Sequence, residues 1–225
     1  MTKVTAAISF ALWLGYIPPA ALAAADPSDN TWHFTVLLDG RRIGEHDFAV
    51  VRHGDEVVVD SYAHFKVKAA FIPLYAYDHQ DHEVWRKGCL AQISSHTRDN
   101  GNSFAVQGSL QGSTFAVRGA DGTATLPACI STFAYWDQKL LTEPRLLNSQ
   151  TGAFQPVTLT LEGTQNVRVG GQTISAQRYS LRAPKLDIEL WYSAAGDWVA
   201  LESKLENGRT LRYEIEQPRL SRGGL

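Results

Sequence analysis

The sequence predicts a mainly β fold: a strongly curved antiparallel meander sheet, close to a half-barrel, with a short mid-chain helical segment across its opening. Three observations carry that expectation. From Trp32 onward, apolar and polar residues alternate in run after run, the signature of strands with one buried face. Glycine-containing turns separate the runs at short intervals, as in sandwiches, barrels and large curved sheets. Between Ser131 and Phe154 the apolar spacing shifts to three and four residues, which places them along one face of a helix.

The first run, Trp32, Phe34, Val36 and Leu38, ends at Asp39-Gly40, a dipeptide suited to a type I′ hairpin because both central residues need positive φ. The return strand spans about Arg41 to Arg52, turns at His53-Gly54-Asp55-Glu56, and leads into a third strand from Val57 to Val67. Pro73 removes a ladder donor within Phe71-Ile72-Pro73-Leu74 and interrupts the pattern there. Tyr75 to Thr97 then reads as one long bent strand or two shorter ones, closed by the turn cluster Asp99-Asn100-Gly101-Asn102. Phe104–Val106 and Thr114–Arg118 form a further hairpin, and Asp121-Gly122 turns toward Thr123–Leu126.

In the next stretch Phe133, Trp136, Leu140, Leu141, Leu146 and Leu147 recur at helical spacing, with Asp137 placed to cap a short helix and Pro144 dividing the segment. After Pro156 the β pattern resumes: Val157–Leu161, Val167–Val169, Thr173–Leu181, Leu186–Tyr192, Trp198–Leu205 and Thr210–Glu216. No fixed sequence period emerges, which disfavours a propeller or solenoid.

Residues 1–25 read as a secretory leader. Lys3 gives the positive start, Ala6 to Leu14 the apolar centre, and small residues place cleavage near Ala23 or Ala25. The apolar run is short and is broken by Gly15, Pro18 and Pro19, so no transmembrane segment is expected in the mature chain. Residues 26–220 are expected to form a single β domain, with 221–225 a flexible tail. The mature chain would then be periplasmic or secreted. It carries 20 Lys and Arg against 23 Asp and Glu, a balance that excludes nucleic acid as the main partner, because phosphate backbones select dense basic clusters. Cys89 and Cys129 are the two cysteines. In an oxidising compartment an even count favours a disulfide, with two buried free thiols as the alternative.

A resemblance covers nearly the whole mature chain. Leu38-Asp39-Gly40-x-x-Ile43-Gly44, Glu83-x-Trp85, Gly88-Cys89-Leu90 and Thr97-x-Asp99-Asn100-Gly101 stand in that order. Leu126-Pro127-x-Cys129, Ser131-x-Phe133-Ala134-Tyr135-Trp136 and Leu146-Leu147-Asn148-x-Gln150-Thr151-Gly152 follow. This pattern resembles a secreted bacterial family of unknown function, which brings no catalytic residues to carry over. In plan alone, the two meanders with a linking segment are also similar to the half-barrels of periplasmic lipoprotein carriers. That likeness implies an apolar ligand in the concave face.

Candidate chemistry concentrates in Tyr77-Asp78-His79-Gln80-Asp81-His82-Glu83. On a strand, His79 shares a face with Asp81 and Glu83, while His82 turns away with Asp78. The two carboxyls side by side would raise one another's pKa. A same-face His-x-His is missing, so no metal site is assigned, and no nucleophile elbow or phosphate-cradling glycine loop occurs. No catalytic residue and no cofactor follow from these motifs. A hydrolase-like or metal-dependent enzyme would require His64, His79, Asp81 and Glu83 to converge.

The rings suggest binding instead. Phe65, Tyr75, Tyr77, Trp85, Phe133, Trp136 and Trp191 are candidate lining residues for an apolar small molecule, a lipid or a lipidated partner, although rings at strand spacing equally suit a plain core. A third reading is a protein-interaction module that uses Phe71–Tyr75 as an exposed apolar lip.

Overall fold

The computed structural model describes residues 30–69 and 72–216. The leader, its cleavage positions, Phe71 of the lip and the closing tail lie outside the described residues. Eight strands come first: β1 (Asn30–Leu38), β2 (Arg41–His53), β3 (Glu56–Ala69), β4 (Ile72–Arg86), β5 (Cys89–Asp99), β6 (Asn102–Gln111), β7 (Thr114–Gly119) and β8 (Gly122–Pro127). A linking segment holds one 3-10 turn (Gln138–Thr142) and two short strands, β9 (Arg145–Leu147) and β10 (Phe154–Pro156). Five strands close the chain: β11 (Thr158–Val169), β12 (Gln172–Ala183), β13 (Leu186–Ser193), β14 (Trp198–Lys204) and β15 (Thr210–Ile215).

Thirteen strands form one curved antiparallel sheet, ordered β11-β12-β13-β14-β15-β1-β2-β3-β4-β5-β6-β7-β8. The sheet is open, with β8 and β11 as its edges; β9 and β10 pair only with each other. The two meanders join where β1 pairs β15, Phe34 opposite Ile215 and Val36 opposite Tyr213. The far end of the β11–β12 hairpin lies against β14 and β15, so Val167, Val169 and Ala176 are buried in one core with Trp191, Val199 and Ala200. Among the described residues no helix is long and apolar enough to cross a membrane.

The turns follow the expected chemistry. Asp39 and Gly40 both take positive φ, at 50° and 77°, as a type I′ hairpin requires. Lys87 and Gly88 do the same at 52° and 72°, so Tyr75–Thr97 resolves into two strands rather than one. Pro73 sits inside β4, opposite Lys68 and beside a register shift at Val67; a bulge is a place where a strand tolerates a missing donor. Exposed Ile72 and Leu74 flank it, at 66 % and 58 % exposure.

The helical expectation for Ser131–Leu147 is corrected. Only Gln138–Thr142 is helical, as a 3-10 turn, and Asp137 caps it by accepting from Lys139 N at 3.0 Å. Leu146 and Leu147 belong to β9 instead. Pro144 stops the helix, and the apolar residues are buried by docking onto the sheet rather than along a helix face. Leu140, Leu146, Leu147 and Trp136 all join the main core, and Trp136 meets Trp85 edge-on with centroids 5.6 Å apart.

Cys89 and Cys129 form a disulfide across a separation of 40 residues. It ties the start of β5 to the entry of the linking segment, beside the Leu90 N to Ile130 O hydrogen bond of 3.1 Å. Free-thiol labelling of the unfolded, unreduced protein should therefore find no thiol. Replacing both cysteines by serine should lower stability by about 4 kcal/mol in the loop-entropy model, read by urea denaturation. A second prediction concerns register. A Cβ on Gly44 would lie 1.9 Å from His64 O and 2.8 Å from Phe65 Cα. Gly44→Ala should cost at least ~1–3 kcal/mol, the range for overpacking; an unchanged urea midpoint would contradict the pairing of Gly44 with Phe65.

Candidate functional site

Successive strands of the concave face bring three rows of side chains into line. In one row His79 on β4 faces Ala63 on β3, and Ala63 faces His46 on β2. Alanine is small enough to leave open space between the two imidazoles. In the next row Asp81 faces Ser61 and Ser61 faces Phe48. In the third, Glu83 faces Val59. The linking segment crosses above these rows and partly covers a half-open cavity of about 250 Å³. Its roof is Thr132–Trp136 and Asn148–Gln150; Leu186, Ile188, Leu201, Leu211 and Tyr213 form the far wall.

The roof is fixed by backbone chemistry. Asn148 Oδ1 accepts from Gln150 N at 2.8 Å and Thr151 N at 3.1 Å, an Asx-type turn. Gly152 then approaches β7 so closely that a Cβ on it would lie 2.8 Å from Gly119 Cα. Thr151 O accepts from Ala120 N at 2.8 Å, and Ser95 Oγ donates to Ser149 O. At the other end of the roof Tyr192 OH donates to Tyr135 O at 2.9 Å. These contacts hold Ser149 and Gln150 at the cavity, where Gln150 Oε1 accepts from Tyr77 OH at 3.1 Å.

Burial controls the protonation of every group here. Desolvation pushes His79 down to about 4 and drives His46 well below its ordinary range, with the nearby His79 adding to the effect. Both imidazoles are thus neutral at pH 7. His79 Nδ1 meets Thr97 Oγ1 at 2.7 Å, and His46 stacks on Phe48 at 4.1 Å. Burial likewise raises the Tyr77 and Tyr135 hydroxyls, which stay protonated as donors.

The two carboxyls differ. Asp81 is raised well above the carboxylate range, first by burial and then by Glu83 beside it. Its Oδ1 is buried with no hydrogen-bond partner. Glu83 is also raised by burial, but Thr132, Trp85 and Asp81 hydrogen-bond its charged form and oppose the shift; Trp85 Nε1 donates to Glu83 Oε2 at 2.8 Å. The environments push the pair apart: burial and the neighbouring Glu83 favour the neutral form of Asp81, whereas hydrogen bonds oppose the same upward shift at Glu83.

The candidate residues separate into groups. Tyr77, Phe133 and Trp136 line the cavity, as do His79, Asp81 and Glu83. Phe65 lies behind Tyr77, stacked on it at 5.2 Å, and Trp85 is fully buried behind Trp136. Tyr75 is not among the lining residues and interacts with Asp99 instead. Trp191 is corrected: three residues beyond the lining residue Ile188, it takes the opposite face of β13, where Nε1 donates to Gln165 Oε1 at 3.2 Å and Arg212 stacks over the ring. His64 is corrected too. It pairs with Asp78, which alternation places on the convex face with Asp60 and His82, themselves 2.7 Å apart. His64 therefore does not converge with His79, Asp81 and Glu83.

Sequence reasoning missed His46, Tyr213 and Ser149, which also line the cavity. For His46 the signal was present, because it shares strand parity with Phe48 and Val50. Among the described residues no group of three or more His, Cys, Asp or Glu is placed to hold a metal.

The pH dependence follows from these shifts. For Asp81 the folded pKa lies above the unfolded one, so the native state holds the extra proton, and the stability this gives is lost as pH rises above about 4. For His46 and His79 the folded pKa is depressed, so the unfolded state takes up protons first and stability is lost as pH falls below about 6.5. Asp81→Asn removes the first effect while keeping a donor toward Glu83. It should raise the melting temperature at pH 7, by about 2–4 °C per kcal/mol recovered, with little gain at pH 4. An equal gain at both pH values would contradict the assignment of the buried proton to Asp81.

Three comparisons bear on this arrangement. A crystal structure of a beta-barrel-like protein of the domain of unknown function DUF1849 from Brucella abortus is similar, with a TM-score of 0.62 at 10 % identity. The match covers 83 % of this chain and 95 % of that one, and at such identity it speaks to the fold alone. Among curated proteins no sequence match is found. The model of a domain of unknown function, DUF6134, matches residues 34–216, from the middle of β1 to the residue after β15, so the chain belongs to the DUF6134 family.

Proposed function

We propose that this protein is an exported binding protein that holds a small, largely apolar molecule with one polar end in the concave face of its sheet. The observation that carries the reading is the roofed cavity of about 250 Å³. It combines apolar walls (Phe48, Val59, Phe133, Leu186, Ile188 and Leu201) with polar groups gathered on β4 and on the nearby strands β2 and β3, His46 and Ser61 among them. That division is typical of small-molecule sites, in which apolar contact supplies affinity and sparse polar groups fix orientation. The volume falls below the ~300–1,000 Å³ of pockets for drug-sized ligands, which favours a compact occupant over a diacyl lipid. Each methylene buried would contribute about 0.8 kcal/mol.

Export is supported by the leader sequence and by the disulfide, a bond that persists in oxidising compartments. Protein recovered from the periplasm or medium should begin at or next to Ala24 or Asp26, as N-terminal sequencing would read. The exposed Ile72 and Leu74 favour a second role for the β3–β4 tip, contact with a protein partner; Leu74→Ser would weaken such contact without affecting the cavity.

Occupancy is testable by filling the cavity. Ala134 is buried in the roof and lines it, so Ala134→Phe should abolish binding of any small molecule recovered by native mass spectrometry of the folded protein, at a stability cost of about 1–3 kcal/mol. Retention of the same bound species by a folded Ala134→Phe variant would place the occupant elsewhere.

A further inference from the structure

We infer that the occupant of the cavity is an organic ammonium ion, whose positive head sits at the Asp81–Glu83 carboxyls and whose apolar part lies against the rings and aliphatic walls. The inference rests on the reading of the cavity as a binding site and specifies its ligand. Three features of the lining lead to it.

The first is a pair of buried carboxyls with no lysine or arginine beside them in the cavity. Glu83 is buried, and its donors Trp85 Nε1 and Thr132 are neutral. A buried carboxylate without a cationic partner is costly for the protein alone, and a ligand that brings the missing charge recovers that cost.

The second is an unused acceptor. Asp81 Oδ1 is buried and accepts no hydrogen bond. Two buried carboxyls side by side disfavour a second negative charge; an ammonium head, with donors of its own, would relieve that and give both carboxyls a partner. A neutral hydroxyl could bond to Oδ1 but would bring no positive charge to the two carboxyls.

The third is the ring set. Tyr77, Tyr135, Tyr213, Phe133 and Trp136 contribute to the same lining, and ring faces attract cations, more strongly where water is excluded. A metal ion is a poor alternative, because no three ligating side chains converge among the described residues. An anionic ligand would meet Glu83 with no opposing charge. The small volume limits the apolar part to a short chain or a single ring.

The test compares charge at constant shape. Full-length mature protein would be titrated calorimetrically at pH 7 with a panel of ammonium ions, from butylammonium and cyclohexylammonium to phenethylammonium and its N-methylated forms. Each would be set against its neutral isostere (butanol, cyclohexanol, 2-phenylethanol). The expected result is saturable binding of at least one ammonium ion, at least tenfold tighter than its isostere. Asp81→Asn and Glu83→Gln should each remove that preference. Because Asp81→Asn is the variant expected to gain stability, loss of binding in it could not be ascribed to unfolding.

Equal or tighter binding of the neutral isosteres would overturn the ammonium assignment and leave the cavity reading standing. If no member of either panel binds and Ala134→Phe leaves the native mass spectrum unchanged, both fail. An ammonium preference that survives Asp81→Asn and Glu83→Gln would overturn the assignment of the head group to these carboxyls.

Discussion

The pairing of β1 with β15 governs the rest of this molecule. The two ends of the described chain meet in the middle of the sheet, Phe34 opposite Ile215, so each meander runs outward and its last free strand becomes an edge. The chain must therefore travel from edge β8 to edge β11 in one connection. It does so across the concave face, and the cavity exists because that crossing spans a hollow instead of filling it. The disulfide marks where the crossing begins and the close approach of Gly152 to Gly119 where it is pinned. Stability and site thus share the same residues: Trp136 seals the core against Trp85 and also lines the cavity.

The polar groups on β4 conflict with the rule that charges stay in water. His79, Asp81 and Glu83 occupy consecutive inward positions on the concave face of β4, between Tyr77 and Trp85. Local choices that oppose the global fold persist where they serve a site. The compensation is visible: neutral imidazoles, a neutral form favoured at Asp81, and two donors turned toward Glu83. The orphaned Oδ1 of Asp81 is the part left without compensation.

Much of this was legible in the sequence. Period-two alternation located the strands, Asp39-Gly40 and Asn100-Gly101 fixed hairpins, and strand parity alone put His79, Asp81 and Glu83 on one face. The same parity rule failed where it had nothing to read. Leu190-Trp191-Tyr192 is apolar throughout, and the ladder shifts register between Trp191 and Tyr192, so neither face was marked and Trp191 was misplaced. The parity of His64 matches Asp60 and Tyr62, which sets it on the convex face. The linking segment imitated a helix because docking onto a curved sheet also calls for apolar residues every three or four positions. Nothing local told a helix face from a strap that dips repeatedly into a core. Tyr213 and Ser149 reach the site only through long-range pairing and a turn, which no window of sequence contains.

The distribution of histidine and aspartate between the two faces of β3 and β4 completes the physical argument. On the convex side Asp60 pairs with His82 and His64 with Asp78, each across one ladder rung. Exposed pairs of this kind contribute little to stability. On the concave side the same residue types meet under burial, and there the cost of charge favours the neutral form of both His79 and Asp81. One strand thus carries the same residue types twice, and burial separates the environment of the concave copy from that of the convex one. The roof makes that difference, since without Thr132–Trp136 and Asn148–Gln150 above them the inner carboxyls would be as hydrated as the outer ones. The linking segment is in this sense a structural cover and also the element that sets the electrostatics of the site.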